Sequence, residues 1–292
     1  MTAFSTAFLA VDWGTTNRRV FLIEHGIVVA TERDARGVTS VAPGDFPGEL
    51  AEIRERFADL PVLMAGMVGS TIGWRDAGYV AAPAGLADLA QCMTWIDPRT
   101  AIVPGVSVLT DARADVMRGE EVQFLGAVAA GLVPQDGLLC QPGTHCKWAR
   151  AADGAIVDFT TAMTGELFAL LRTHGLLAAQ LQAAVTAGAA FRDGVAAGRG
   201  GDLAAALFGI RAAKLLGRRD DADAASYASG LLIGSDVAAR LAGAPGDVHI
   251  LADATLAELY SIAVTANGGT AHVVDSHAAF VAGMVALAGM LP

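Results

Sequence analysis

Two short stretches, VDWGTTNRR at residues 11–19 and QPGTHCKW at residues 141–148, decide how this chain of 292 residues is read. The first lies inside a pattern of strand, tight turn, strand, turn and strand between Ala7 and Arg33. An apolar run ends in Asp12, a polar turn covers Gly14 to Asn17, and Val20 to Ile23 and Ile27 to Ala30 follow, separated by His25 and Gly26. The second lies inside the same pattern. After a turn at Pro134 to Gly137 come Leu138 to Gln141, a turn at Pro142 to Thr144, Cys146 to Arg150, a turn at Asp153 and Gly154, and Ile156 to Phe159. The two meanders share turn placement more than residues, so they form a structural echo and not a sequence repeat. An α/β chain of two lobes is expected, residues 1–132 and 133–292, with a cleft between them and a helical insertion at about 165–242.

Working outward, an amphipathic helix is expected near Pro47 to Ala58, a strand from Pro61 to Met64, and a glycine-rich loop from Gly66 to Gly78. A strand near Ile102 to Leu109 and a helix from about Asp115 to Ala130 complete the first lobe. In the second, helices dominate from Gly165 to Ala242, broken by a glycine- and charge-rich interruption at Arg192 to Gly201. The chain then alternates: strand Val248 to Leu251, helix Thr255 to Val264, strand His272 to Val274 and helix Ser276 to Met290.

Composition narrows the function. The chain is 53% apolar, yet no stretch approaches the ~18 uninterrupted apolar residues of a membrane span, so no anchor is expected. No Lys or Arg precedes Arg18, which leaves out the cationic start of a secretory leader. Cys92, Cys140 and Cys146 make an odd set without framework spacing, which suits free thiols in the cytoplasm. A net charge of −10, with scattered Lys and Arg, opposes nucleic acid and anionic lipid as partners. A few local cations can still hold a small anionic substrate.

The two turns carry the chemistry. Gly14 lets the backbone approach an anion, Thr15 and Thr16 add hydroxyl donors, and Asp12 at the strand end can hold Mg²⁺ through water. Gly143 and Thr144 repeat the device, with Lys147 placed to meet a polyphosphate. A satisfied β-turn with Asp at its start is the bland reading of the first turn alone; two such turns in equivalent places point to a nucleotide. Asp115 and Asp111 are the candidate bases, Asp115 being preferred because it adjoins the expected helix start. The loop bearing Gly69, Ser70, Trp74 and Arg75 follows a strand end, where α/β lobes bind ligands. Cys140, His145 and Cys146 offer too few ligands for zinc. His25, His174, His249, His272 and His277 fall singly and read as surface or packed side chains. There is neither a GxGxxG fingerprint nor a Walker A sequence.

Beyond these turns, residues 64–74 (MAGMVGSTIGW), 115–123 (DVMRGEEVQ) and 163–171 (MTGELFALL) add a specific pattern. Together the segments resemble the 2-dehydro-3-deoxygalactonokinase family, a branch of the sugar kinase, hexokinase, Hsp70 and actin superfamily. The resemblance runs nearly end to end. It implies two lobes of ribonuclease H-like, actin-like ATPase fold, ATP with Mg²⁺ in the cleft, and phosphorylation of 2-dehydro-3-deoxy-D-galactonate to its 6-phosphate. It also implies a carboxylate near the start of the first lobe's last helix that faces the substrate hydroxyl. The substrate's own carboxylate needs a cation, for which Arg75, Arg18 and Arg118 are candidates; Glu120 and Thr164 to Glu166 adjoin the same region. One departure is Asp253, where the family usually has Gly, so adenosine contacts are not carried over. Two other functions compete: an exopolyphosphatase-like hydrolase, whose second turn should end in an acid where this chain has Lys147, and a non-catalytic ATP-binding module. Whether a homodimer forms stays open.

Overall fold

The computed structural model describes residues 4, 6–243 and 246–291. β1 (Ala7–Trp13), β2 (Arg18–Glu24) and β3 (Ile27–Asp34) form the first meander, and α1 (Phe46–Arg56) leads into β4 (Val62–Ala65). β5 (Tyr79–Ala81), α2 (Leu86–Gln91), β6 (Thr94–Asp97), β7 (Thr100–Ile102), β8 (Gly105–Leu109), β9 (Ala114–Met117) and α3 (Glu120–Ala129) follow. The second meander is β10 (Gly137–Gln141), β11 (Cys146–Ala152) and β12 (Ala155–Ala162). After it come α4 (Thr164–Thr173), α5 (Ala189–Gly198), α6 (Leu203–Leu215), α7 (Asp221–Leu241), β13 (Asp247–Leu251), α8 (Ala254–Ala266), β14 (Thr270–Val274) and α9 (Ser276–Met290).

Packing gathers Met1–Asp136, Ala149–Phe159 and Ser276–Pro292 into one unit and Gly137–Trp148 and Thr160–Asp275 into another. In the first unit the sheet order is β3-β2-β1-β4-β7-β6. β1 pairs antiparallel with β2 and parallel with β4, so it is central and its residues Phe8 to Val11 are fully buried. Such a strand reads as a continuous apolar run, as expected where both faces are covered. Phe46, Leu50 and Ile53 of α1 pack with Leu9, Val11 and Trp13. Phe280 of α9 meets Phe21 of β2 with ring centroids 5.7 Å apart. In the second unit the order is β12-β11-β10-β13-β14, with β10, β13 and β14 parallel. Its core joins Trp148, Phe191, Val237 and Tyr260.

Three sequence expectations are corrected. The helix expected from Asp115 begins at Glu120, because Ala114–Met117 pairs with β8 and Gly119 has a φ of +106°, which no right-handed helix accepts. The strand expected over 102–109 is two strands in different sheets, β7 and β8. The interruption expected at 192–201 is mostly helix α5. Its glycines are packing positions: a Cβ on Gly194 would overlap the Tyr227 carbonyl of α7, and one on Gly230 would overlap the Phe191 carbonyl of α5.

The same device joins α3 to α9, where a Cβ on Gly126 would overlap Ala279 O and one on Gly283 would overlap Val122 O. Overpacking of this kind costs about 1–3 kcal/mol or more, since backbone cannot step aside. Gly126→Ala and Gly230→Ala are therefore expected to lower stability by at least that amount in urea unfolding. Gly209→Ala in α6 meets nothing within 4 Å and is expected to be neutral or to stabilise by up to about 1 kcal/mol. Equal effects at all three positions would contradict the packing account.

Candidate active site

In the first unit three backbone segments press together. A Cβ on Gly66, at the end of β4, would stand 2.9 Å from the Trp13 carbonyl oxygen, and one on Gly119 would stand 3.1 Å from Gly66 Cα. Both glycines have positive φ, +95° and +106°, so a side chain would be strained as well as crowded. This approach brings the end of β1 and the start of α3 to one place, and with them Asp12, Glu120 and Glu121. Asp12 lies opposite Arg19 in the β1–β2 register, its Oδ2 3.9 Å from Arg19 Nη1, with 28% of its side chain exposed. Burial pushes its carboxyl up to about 6; the Arg19 guanidinium opposes the rise and the Glu120 charge adds to it. Glu121 is fully buried and accepts the Gly119 N–H on both oxygens, at 2.9 and 2.7 Å. Burial, then the Glu120 charge, push it up to about 8 against the pull of the Gly119 and Glu121 N–H groups and Arg118. Glu120, half-buried, accepts the Arg118 N–H at 3.1 Å.

The first turn closes with a hydrogen bond from Gly14 N to Asn17 O of 2.9 Å. The carbonyls of Gly14, Thr15 and Thr16 accept N–H groups from Val38, Thr39 and Gly37 at 3.0, 3.2 and 3.2 Å. The carbonyl side is thus tied down, while Thr15, Thr16 and Asn17 stay exposed. Asp115 sits on β9 with its carboxylate on Val116 N at 2.8 Å, and Asp111 is exposed between β8 and β9.

The three arginines part ways. Arg18 is 1% exposed, bonded to Glu49 at 2.8 Å and to Asp34 at 2.6 Å and set over the Trp13 ring, so it serves the core. Arg118 is buried against the loop: Nη2 donates to Gly78 O at 3.0 Å, the guanidinium lies 4.4 Å from the Tyr79 ring centroid, and Nε and Nη1 lack hydrogen-bond partners among the described residues. Arg75 is exposed and donates to Trp95 O at 3.3 Å. Trp74 stacks on Phe46 at 6.0 Å, and Ser70 bonds Met67 O at 2.7 Å; both brace the loop. Gly69 is closed in by Ile102 and Arg118.

In the second unit Gly143, Thr144 and His145 are exposed at the tip between β10 and β11. The start of α4 is pressed on this turn: a Cβ on Gly165 would overlap Gly143 O, Glu166 N donates to Thr144 O at 2.9 Å, and Glu166 Oε2 is 2.6 Å from His145 Nε2. Lys147 does not stand at the tip. It is 6% exposed on β11, and its ammonium donates to Thr161 of β12 at 2.8 Å. Beside the turn lies a cavity of about 90 Å³ lined by Gly143, Thr164, Phe168, Leu232, Leu256 and Tyr260. Asp253 caps α8, accepting Leu256 N at 3.0 Å, so its carboxylate serves the helix start.

Residues 12–287 match the family model described as 2-keto-3-deoxy-galactonokinase. The chain belongs to that family. It is 40% identical to a Rhizobium meliloti (strain 1021) protein named a probable 2-dehydro-3-deoxygalactonokinase, with 96% of each chain covered. It is 35% identical to the 2-dehydro-3-deoxygalactonokinase of Escherichia coli (strain K12), covering 96% of this chain and 97% of that one. A Sinorhizobium meliloti crystal structure, provisionally assigned the same activity, superposes with a TM-score of 0.91 at 37% identity over 96% of this chain and 98% of that one. At 12% identity, component A of the Acidaminococcus fermentans (R)-2-hydroxyglutaryl-CoA dehydratase shares the fold alone, with a TM-score of 0.51 over 97% of each chain. The fold is the two-lobed, actin-like ATPase α/β fold.

Within this family member, sequence reasoning missed the role of Glu121. Its only signal in the sequence is a pair of consecutive acids directly after Gly119. A carboxyl near 4.5 when unfolded and about 8 when folded makes the folded state hold its proton more tightly. Stability is then lost as pH rises between those values. Glu121→Gln removes the titration, so the melting temperature of the variant relative to the parent is expected to climb from pH 5 to pH 8. A difference independent of pH would contradict the burial assigned to Glu121.

Proposed function

We propose that the chain transfers the γ-phosphoryl group of ATP to 2-dehydro-3-deoxy-D-galactonate, giving the 6-phosphate. The observation that carries this reading is family membership across nearly the whole chain, with 35% identity to the Escherichia coli kinase. The site chemistry agrees with it. The substrate hydroxyl oxygen forms the new bond to phosphorus, the bond to the β–γ bridging oxygen breaks, ADP leaves, and the hydroxyl proton passes to a carboxylate. Glu120 is the carboxylate we assign to that role. It opens α3, where the family resemblance puts the base, and it stands at the glycine-held junction beside Asp12. Asp115, on a strand, and Asp111, in a hairpin, lose the helix-start argument that favoured Asp115.

Gly14 to Thr16 and Gly143 to Thr144 are assigned to phosphate oxygens, with the charge of Lys147 behind the second turn. The apolar cavity beside Gly143 suits the nucleotide base. Mg²⁺ enters with ATP. Among the described residues no group of three or more His, Cys, Asp or Glu is arranged to hold a metal. A donor set of Asp12 with Glu120 nearby fits a hard cation held mostly by phosphate and water. When bound, the ion neutralises phosphate charge during transfer. Arg75, the exposed guanidinium of the 66–78 loop, is assigned to the substrate carboxylate. Partners are thus ATP and the sugar acid. The proposed compartment is the cytoplasm; no helix among the described residues is long and apolar enough to cross a membrane. A hydrolase is disfavoured by Lys147, which stands where the second turn of such an enzyme should end in a water-activating acid.

Purified protein with Mg·ATP is expected to turn over the sugar acid at least about a thousandfold faster than glucose, because unpaired buried donors penalise a poor substrate heavily. Equal turnover of glucose would remove the substrate assignment and leave the fold. Glu120→Gln is expected to lower kcat by about 10²–10⁴ with little change in ATP binding. Asp115→Asn and Asp111→Asn should stay within about threefold of the parent. An inactive Asp115→Asn beside an active Glu120→Gln would place the base on β9.

A further inference from the structure

The segments 142–148 and 163–171 are separated in sequence, yet one carboxylate on α7 holds both. Trp148 Nε1 donates to Asp236 Oδ2 at 2.9 Å, and Thr164 Oγ donates to the same oxygen at 3.3 Å. The Asp236 side chain is 5% exposed. Its other oxygen, Oδ1, has no hydrogen-bond partner among the described residues; Arg240 Nε is 3.9 Å away. Burial accordingly raises the carboxyl above its ordinary range. A half-satisfied buried carboxylate is a costly object in a core that Leu could fill, since desolvation is repaid only through the bonds it makes.

What those bonds hold is the support of the exposed turn. Trp148 lies on β11, which starts directly behind Gly143 to His145. Thr164 is the first residue of α4, and its neighbours Gly165 and Glu166 are the groups pressed on Gly143 O and Thr144 O. Thr164 also lines the cavity beside the turn. The strut behind the turn and the strut against its flank therefore meet at one oxygen. We propose that Asp236 is a positioning residue for the nucleotide, setting the distance between the Gly143–Thr144 turn and the start of α4. The proposal rests on the assignment of this turn to ATP phosphate.

Steady-state kinetics with ATP and the sugar acid varied separately, alongside thermal melting, test it. Asp236→Leu is expected to raise KM for ATP by about tenfold or more while KM for the sugar acid moves less than about twofold. Asp236→Asn, whose amide oxygen still accepts from the indole, should stay within about threefold of the parent. Thr164→Val and Trp148→Phe each remove one leg, and either must raise KM for ATP even if Asp236→Leu fails to fold. Unchanged KM for ATP in the folded variants, or equal shifts of both KM values, would overturn the proposal and leave Asp236 a packing residue. Gly143→Val, which acts on the turn itself, separates the two failures. If it raises KM for ATP while the Asp236, Thr164 and Trp148 variants do not, only the role of Asp236 falls. If it too is silent, the phosphate assignment falls with it.

Discussion

A side chain at position 66 would meet the carbonyl of Trp13, and one at 119 would meet the backbone of residue 66. The first unit is organised around that contact. Because two glycines with positive φ let three main-chain segments touch, the end of the central strand and the first turn of α3 share one small volume. Three carboxyl groups come with them. Burial, and after it the Glu120 charge, pushes the other two upward, Asp12 to about 6 and Glu121 to about 8. A site of that kind is electrostatically unfavourable when empty and favours a proton or a cation, as expected where phosphate charge must be neutralised and a proton accepted.

The second unit reaches a comparable precision by other means. Here backbone contact between Gly165 and Gly143, the Glu166–Thr144 hydrogen bond and the Asp236 carboxylate fix an exposed turn against a helix start. Glycine again does the spacing, and it recurs where α5 crosses α7 and where α3 crosses α9. Most of these positions are inside helices, where glycine weakens local propensity by about 1 kcal/mol relative to Ala. Close helix approach offsets that loss by bringing more surface out of water.

Much of this was legible in the sequence. The alternation of apolar runs and polar turns placed both meanders, and the closing order β13, α8, β14, α9 follows the residues closely, because strand period and helix period differ plainly there. What escaped was governed by contacts between residues far apart. Gly194 and Gly198 read as helix breakers until α7 is seen to need their bare Cα atoms. Asp115 read as adjoining a helix start because nothing local reveals that Ala114–Met117 pairs with β8. Arg18 looked available to substrate until Glu49 and Asp34 were found beside it. Asp236 carried no local signal, since its partners lie 88 and 72 positions away in the chain.

The central claim is that main-chain contact between Gly66 and Gly119 puts Glu120 where the proton is taken. Gly119→Ala tests it most directly, with turnover measured at saturating ATP and sugar acid and ATP affinity measured by titration on protein shown to be folded. The expected result is a fall in kcat of about a hundredfold or more, as a displacement near 1 Å produces, with ATP affinity held within about threefold. A folded Gly119→Ala protein that turns over at the parent rate would contradict the account.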